Sequence, residues 1–469
     1  MYKKLLLAAL AVLAPRLSYA DPAGAPVSDK QEAVRACDAF GQGYFYIPGT
    51  NTCLKVHGYV RTDMQAGDQM YVRKYGDMRR HSWDDIARIT TRISTATQTE
   101  LGVLRSFVQF RHDWEAGGGS KWDWREHNGN GDGTDNPTIR YGYFQLGGLR
   151  IGLDETIFAT WPGFYGNVIN DDANNPMSET TRVIDASYTW TGKNGLSAII
   201  GAEQSSNTDA IDDYGDAHNL MTGGASGDQF AGQDYLQGMP GHIIHGNRNT
   251  ERWAFRFTKN GVKYHEVSQQ SKNYNLYYIA GVKYTKDWGD LIGIAGYDPY
   301  WGSIGAKARI DVNLSKKWSA FLMGGYKSVD DYYYVDGTYS MGDKGTDGYR
   351  MHKGKPVVGL QRATQSLYGD WGGHWSLWWG ATYQYNDSTS FNFQSDYTTD
   401  KTYYTTVNIT KEVVPGLVVI PEVSFFYWDN NYGCKKCMTI PDSDEKVDAR
   451  LAMKDKTATQ FMLRMQRNF

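Results

Sequence analysis

The stretch DIARITTRISTATQTELGVLRSFVQFRHDW, from Asp85 to Trp114, decides the fold. After Ile86 the even positions Arg88, Thr90, Arg92 and Ser94 are polar, and the odd positions Ala87, Ile89, Thr91 and Ile93 are apolar or β-branched, a period of two. Beyond the turn Gln98-Thr99-Glu100, Arg105, Gln109, Arg111 and Asp113 share one parity and Leu104, Val108 and Phe110 the other, with Phe107 breaking the pattern. Strands with an arginine face and an oily face need two solvents, because unpaired arginines do not sit in a dry core. A water-filled barrel in a lipid membrane supplies both. An antiparallel sheet of a soluble protein with one wet face also fits this hairpin, so the choice falls to the remaining sequence.

The N-terminus reads as a secretory signal peptide over residues 1–20: Lys3 and Lys4, the apolar run Leu5 to Ala14, then Leu17-Ser18-Tyr19-Ala20 before polarity rises at Asp21. No other stretch approaches about eighteen consecutive apolar residues, so membrane integration requires a β-barrel. Lys and Arg number 49 against 52 Asp and Glu; without Lys3, Lys4 and Arg16 the balance is 46 to 52, a net of −6, which speaks against nucleic-acid binding. The 34 Tyr, 15 Trp and 52 Gly suit aromatic girdles and many turns.

Residues 21–53 read as a periplasmic lead-in whose second half is stapled by Cys37 and Cys53, since export favours disulfides. Residues 54–469 then read as the barrel. Strands are expected at 54–64, on the two arms of the opening hairpin, and at 138–147, 149–156, 181–191, 196–203, 275–286, 290–297, 303–313 and 318–327. Later ones fall at 358–369, 374–386, 400–412, 416–428 and 457–469, about sixteen in all. Short turns such as Gly147-Gly148, 191–195, 287–289, 315–317, 369–373 and 413–415 alternate with long loops at 65–84, 115–137, 157–180, 204–274, 328–357, 387–399 and 429–456, with 298–302 a brief exception. Turns on one rim and loops on the other characterise outer-membrane barrels, and a soluble sandwich has no reason to segregate them. Within 204–274, Trp253 to Tyr264 around Asn260-Gly261 reads as a hairpin, either inside the loop or as two more wall strands.

The run Ala36-Cys37-Asp38-Ala39-Phe40 through Tyr46-Ile47-Pro48-Gly49-Thr50 to Cys53-Leu54-Lys55-Val56 and Gly58-Tyr59-Val60-Arg61 resembles the start of mature alphaproteobacterial porins of the Brucella and Bartonella type. Trp161-Pro162-Gly163-Phe164-Tyr165-Gly166-Asn167 through Asp171-Asp172 resembles the third loop of the same family. The likeness runs from about Ala36 to the last strand and is faint across 204–274. It implies a sixteen-stranded, homotrimeric general-diffusion porin of the outer membrane, with its third external loop folded into the lumen. It also implies that Phe469 is part of the signal read by the outer-membrane assembly machinery. Outer-membrane lipid, lipopolysaccharide, and small hydrophilic solutes and ions are the partners that such a reading entails.

A wide barrel becomes selective where a loop narrows it and charges line the gap. The loop 157–180 offers Asp171, Asp172 and Glu179, and the lumen parity of the early strands offers Arg61, Arg88, Arg92, Arg105 and Arg111. Acid facing base across the gap would set a transverse field; the plainer alternative is that the arginines pair with nearby acids and fill wall space. Cys434 and Cys437 read as a staple in an external loop, a metal or redox motif being the alternative, although no second Cys pair or nearby His pair completes a zinc site. Asn128, Asn130, Asp132, Gly133 and Asp135 resemble the beginning of a calcium loop, but its twelfth position is Ile139. No enzymatic nucleophile, cofactor or metal site is expected. The competing functions are a substrate-specific, sugar-type channel, for which Tyr59 offers only one aromatic of the needed ladder, and a barrel-based adhesin binding through 204–274.

Overall fold

The computed structural model describes residues 35–68, 82–117, 136–163, 166–170, 182–205, 252–258, 261–267, 276–299, 302–329, 331–335, 350–352, 355–364, 366–369, 371–428, 433–439, 446–451 and 456–469. Among these, sixteen strands form one closed wall. They are β1 (Cys53–Gly67), β2 (Ser82–Thr99), β3 (Gly102–Gly117), β4 (Asn136–Leu146), β5 (Leu149–Glu155), β6 (Arg182–Thr191), β7 (Leu196–Ser205) and β8 (Tyr277–Lys286). There follow β9 (Gly289–Asp298), β10 (Ser303–Asn313), β11 (Trp318–Lys327), β12 (Trp375–Asn386), β13 (Thr389–Thr398), β14 (Thr402–Val414), β15 (Leu417–Trp428) and β16 (Lys456–Asn468). All neighbours pair antiparallel, and β16 returns to β1 in the register Asp63↔Arg464, so the wall has no free edge.

The seam is finished by the last residue. The N–H of Phe469 donates to the Gly58 carbonyl at 3.0 Å, and the N–H of Gly58 donates to the Phe469 carbonyl at 2.9 Å. A side chain at Gly58 would collide with the Thr90 carbonyl, so glycine is required where the strands close.

Parity sorts solvents as the sequence requires, in the inverse of a soluble protein. Ile184 and Ile200 are 60% and 63% exposed on the outer surface, whereas Glu203 and Gln394 are fully buried inside. Trp190, Trp288 and Trp318 lie near the short-turn rim, and Trp83, Trp114 and Trp375 near the other; all face outward, forming two girdles.

The strand count of sixteen is right, but two placements behind it are not. Residues 358–369 do not form a wall strand: Lys355–Thr364 belongs to a second sheet, and residues 366–369 turn into the barrel. The region 387–399 is no long loop, since it contains the wall strand β13 paired with β12 and β14. Its Ser390, Asn392, Gln394 and Asp396 read as loop residues in isolation, yet they are the polar face that a lumen-lining strand presents. The Asn260-Gly261 hairpin, Arg252–Thr258 with Gly261–Val267, also lies in the second sheet and adds nothing to the wall.

That sheet has seven strands drawn from three long connections, ordered Gly261–Val267, Arg252–Thr258, Asp331–Val335, Lys355–Thr364, Lys446–Leu451 and Gly433–Thr439, with Arg350–His352 beside Lys355–Thr364. Cys434 and Cys437 fall on its Gly433–Thr439 strand, with their side chains outside the described structure.

At the short-turn rim, Cys37 and Cys53 are disulfide-bonded across a Cα separation of 6.1 Å. The staple lays Phe45–Tyr46 antiparallel on the start of β1, with Tyr46 opposite Cys53.

Candidate pore constriction

The connection between β5 and β6 is the third on the long-loop rim, and it enters the barrel. It begins at Thr156, whose hydroxyl accepts the N–H of Phe158 at 3.2 Å and so caps the single-turn helix α1 (Ile157–Thr160). The root is anchored on β7: Glu203 accepts the Thr156 hydroxyl at 3.0 Å and the N–H of Ile157 at 2.6 Å.

From there the loop follows the inner wall strand by strand. The Trp161 indole donates to the Val282 carbonyl of β8 at 3.2 Å, and Lys307 of β10 lies 4.3 Å from the Phe158 ring centroid. The N–H of Gly166 donates to Gln394 of β13 at 2.7 Å; Gly166 lies against the Phe321 ring of β11, where a Cβ would already be tight at 3.0 Å. The amide of Asn408 on β14 donates to the Asn167 carbonyl at 2.7 Å. Glu422 of β15 accepts the N–H groups of Ile169 at 2.6 Å and Asn170 at 2.7 Å, and the amide of Asn170 donates to Gln460 of β16 at 2.8 Å. A buried loop must satisfy its backbone donors, and lumen-facing Glu and Gln side chains do so here.

The same half of the lumen holds an apolar core. Ile157 and Phe158 pack with Ile199, Tyr277, Ile279, Ile294, Met323 and Trp378 of the wall and with Leu367, Tyr368 and Trp371. The loop therefore fills the side lined by β7 to β16.

From β16 across the seam to β3 the wall carries cations. Arg464 of β16 donates two bonds to Asp63 of β1, at 2.7 and 2.8 Å, and Arg61 lies 3.1 Å from the same carboxylate. On the next strands Arg88 donates two bonds to Asp113, at 2.6 and 2.9 Å, and Arg111 donates to Asp113 at 2.6 Å. Four guanidiniums thus share two carboxylates, a net of +2, in a belt joined by the cross-strand pairs Arg61↔Arg88 and Arg88↔Asp113. Arg92 stands nearer the short-turn rim, donating to Gln109 at 2.8 Å, and Tyr59 lies between Arg61 and Arg92, within 5.8 Å and 5.7 Å of them. These contacts are charge-assisted and geometrically fixed, so the charges hold their positions in the water.

Within a barrel of this strand number and closure, a family match becomes decisive. The model described as Porin subfamily matches residues 24–462. The chain belongs to this porin family.

The porin is 33% identical over 432 residues to Porin Omp2b of Brucella suis, a span of 92% of this chain and 93% of the relative. It is 35% identical over 425 residues to Porin Omp2b of Brucella abortus (strain 2308), covering 90% and 92%. Solved structures with a similar fold include the outer membrane channel DcaP of Acinetobacter baumannii, at 10% identity and a TM-score of 0.49 over 90% of this chain and 99% of that one. A Rhodopseudomonas blastica porin triple mutant aligns at 8% identity and a TM-score of 0.43, over 89% and 100%. The chain is an outer-membrane porin, a channel for passive passage of small hydrophilic solutes and not an enzyme.

Of the residues nominated from sequence, Arg61, Arg88 and Arg111 come together in the porin's belt, with Arg92 beside it. Arg105 does not. It lies opposite Ala96, toward the short-turn rim, with its guanidinium 5.7 Å from the Phe40 ring of the stapled segment. Shared parity placed it in the lumen, but five residues on each strand separate its row from that of Arg111. Asp171, Asp172 and Glu179 lie outside the described residues, as do the leader 1–20, residues 128–135 and most of 204–274.

The sequence reading missed Arg464, Asp63 and Asp113 as belt members, and Glu203, Gln394 and Glu422 as loop anchors. Arg464 and Asp63 have the correct parity, but only barrel closure brings the last strand beside the first. Phe107, which breaks the alternation of β3, faces the lumen and stacks on Tyr143 at 5.2 Å.

Proposed function

We propose that selectivity in this porin is set in the gap between the internal loop and the arginine belt. The observation that carries the reading is the lopsided filling of the lumen: loop residues 156–163 and 166–170 are bonded to inner faces from β7 to β16, while the guanidiniums of Arg61, Arg88 and Arg111 stand on β1 to β3. Water confined to that gap passes a fixed net positive wall, which favours anions locally and orients dipolar solutes. Asp171, Asp172 and Glu179 are proposed to face it from the loop.

The porin is further proposed to act as a homotrimer, matured by loss of residues 1–20 and delivered through recognition of Phe469 by the outer-membrane assembly machinery, with its long loops among lipopolysaccharide. Residues 21–53, stapled by Cys37 and Cys53, then form the periplasmic lead-in, and 54–469 the barrel.

Single-channel recording of the refolded mature chain in planar bilayers tests these proposals. Conductance in triplet steps, unblocked by oligosaccharides, is expected. Single steps with micromolar saccharide block would replace this reading with a sugar-specific channel.

A further inference from the structure

The sixth connection on the long-loop rim, between β11 and β12, sends a second element into the lumen, and it reaches the root of the constriction loop. Residues 366–369 are buried inside the barrel, beginning two residues after the external-sheet strand Lys355–Thr364. The N–H of Leu367 donates to Asp298 of β9 at 2.7 Å, and the hydroxyl of Ser303 on β10 donates to Ser366 at 2.8 Å. Farther along, the Lys327 ammonium donates to the Trp371 carbonyl at 2.6 Å. The wall makes room for the element: a side chain at Gly296 or Gly305 would collide with Tyr368.

Tyr368 is the point of contact. Its ring centroid lies 5.1 Å from that of Phe158, and its hydroxyl donates to Glu203 at 2.8 Å. Glu203 is the carboxyl group that also accepts Thr156 and Ile157 at the loop root. Burial holds the Tyr368 phenol well above its usual range, so it remains a donor.

We propose that Tyr368 is a positioning residue of the pore: residues 366–369 form a strut that fixes the constriction loop through Glu203, so the external connection governs how often the channel closes. The inference rests on the reading that the loop narrows the pore. A hydrogen bond made in the open arrangement and lost when the loop swings biases that equilibrium by its own free energy. Packing of Tyr368 on Phe158 adds a contact that the hydroxyl alone does not carry.

The test compares the refolded parent with Tyr368→Phe and Glu203→Gln in planar bilayers. Tyr368→Phe keeps the ring and removes only the donor. Spontaneous closures are expected to become about tenfold more frequent, the factor a buried hydrogen bond of ordinary strength represents. In Tyr368→Phe, open-state conductance and reversal potential should stay at parental values, because the arginine belt stands across the lumen. Glu203→Gln replaces the carboxylate that Thr156, Ile157 and Tyr368 share by a neutral amide with one acceptor oxygen; it should also raise closure frequency, by more than about twofold, and provides the measurement if Tyr368→Phe does not assemble. Closure frequencies within twofold of the parent in whichever variants conduct would overturn the strut. A parent that conducts nothing would instead overturn the channel reading beneath it.

Discussion

Replacing Arg61 and Arg92 together by Gln tests whether the belt governs ion preference. These two are the informative choices, because each carboxylate keeps a two-bond partner without them: Arg464 on Asp63, and Arg88 on Asp113. The belt with Arg92 then falls from +3 to +1. A unit charge about 7 Å from a permeating ion in water contributes about 0.6 kcal/mol, and screening at 0.1 M salt roughly halves it. The shift has opposite sign for cation and anion, so each arginine removed changes their ratio by about threefold, and two by about sevenfold. Reversal potentials in a tenfold potassium chloride gradient read this directly, and the double variant is expected to move toward cations by about that factor. An unchanged reversal potential with unchanged conductance would refute the argument, since it would place the selective charges away from this wall.

Other expectations follow from the anchors and the seam. Glu422→Ala removes the acceptor for the N–H groups of Ile169 and Asn170, a loss of about 2 kcal/mol; the freed loop should raise both open-channel noise and the dextran size admitted in liposome-swelling assays. Gly58→Ala drives a methyl group into the Thr90 carbonyl at the closing seam, and it should cost about 1–3 kcal/mol, seen as a lower temperature of loss of compact mobility on electrophoresis. Cys37→Ser with Cys53→Ser opens a loop of sequence separation 16. Such a bridge contributes about 3 kcal/mol at most, and cleavage by chymotrypsin at Phe40, Tyr44, Phe45 and Tyr46 should quicken while the barrel remains resistant.

The wall was legible because its alternation is a direct record of two solvents. β1, β2 and β16 show it cleanly, and parity alone is enough to identify Arg61, Arg88 and Arg92 as inward residues. What parity does not record is which sheet a strand joins. Residues 355–364 and 389–398 are both ten-residue runs of strand-forming side chains, yet one lies in the external sheet and the other in the wall. Their exchange in the sequence reading cancelled in the count and misplaced the strut, which had been taken for the end of a strand and a short turn. The belt was half legible for a related reason: Arg61 and Arg88 are neighbours through one hairpin, whereas Arg464 joins Asp63 only through a pairing 401 residues apart.

The loop's course leaves a trace in the strands it covers. A strand between lipid and water alternates, but one between lipid and the apolar part of a buried loop is apolar on both faces, as strands sandwiched between two dry layers are. β7 has Ile199 inward and Ile200 outward; β8 has Tyr277 and Ile279 inward against Tyr278 and Val282; β9 has Ile292 and Ile294 inward against Leu291. Alternation weakens in β7 to β9 because their lumen faces carry part of the protein's core, packed under α1 and Tyr368. In β1 to β3, where no described loop residue is bonded to the wall, the inner face returns to Arg, Asp, Gln and Thr. Loss of polar parity along consecutive strands therefore marks the wall that packs under the apolar root of the loop; over β13 to β16 the loop backbone is held by Gln394, Asn408, Glu422 and Gln460, and the inner face stays polar.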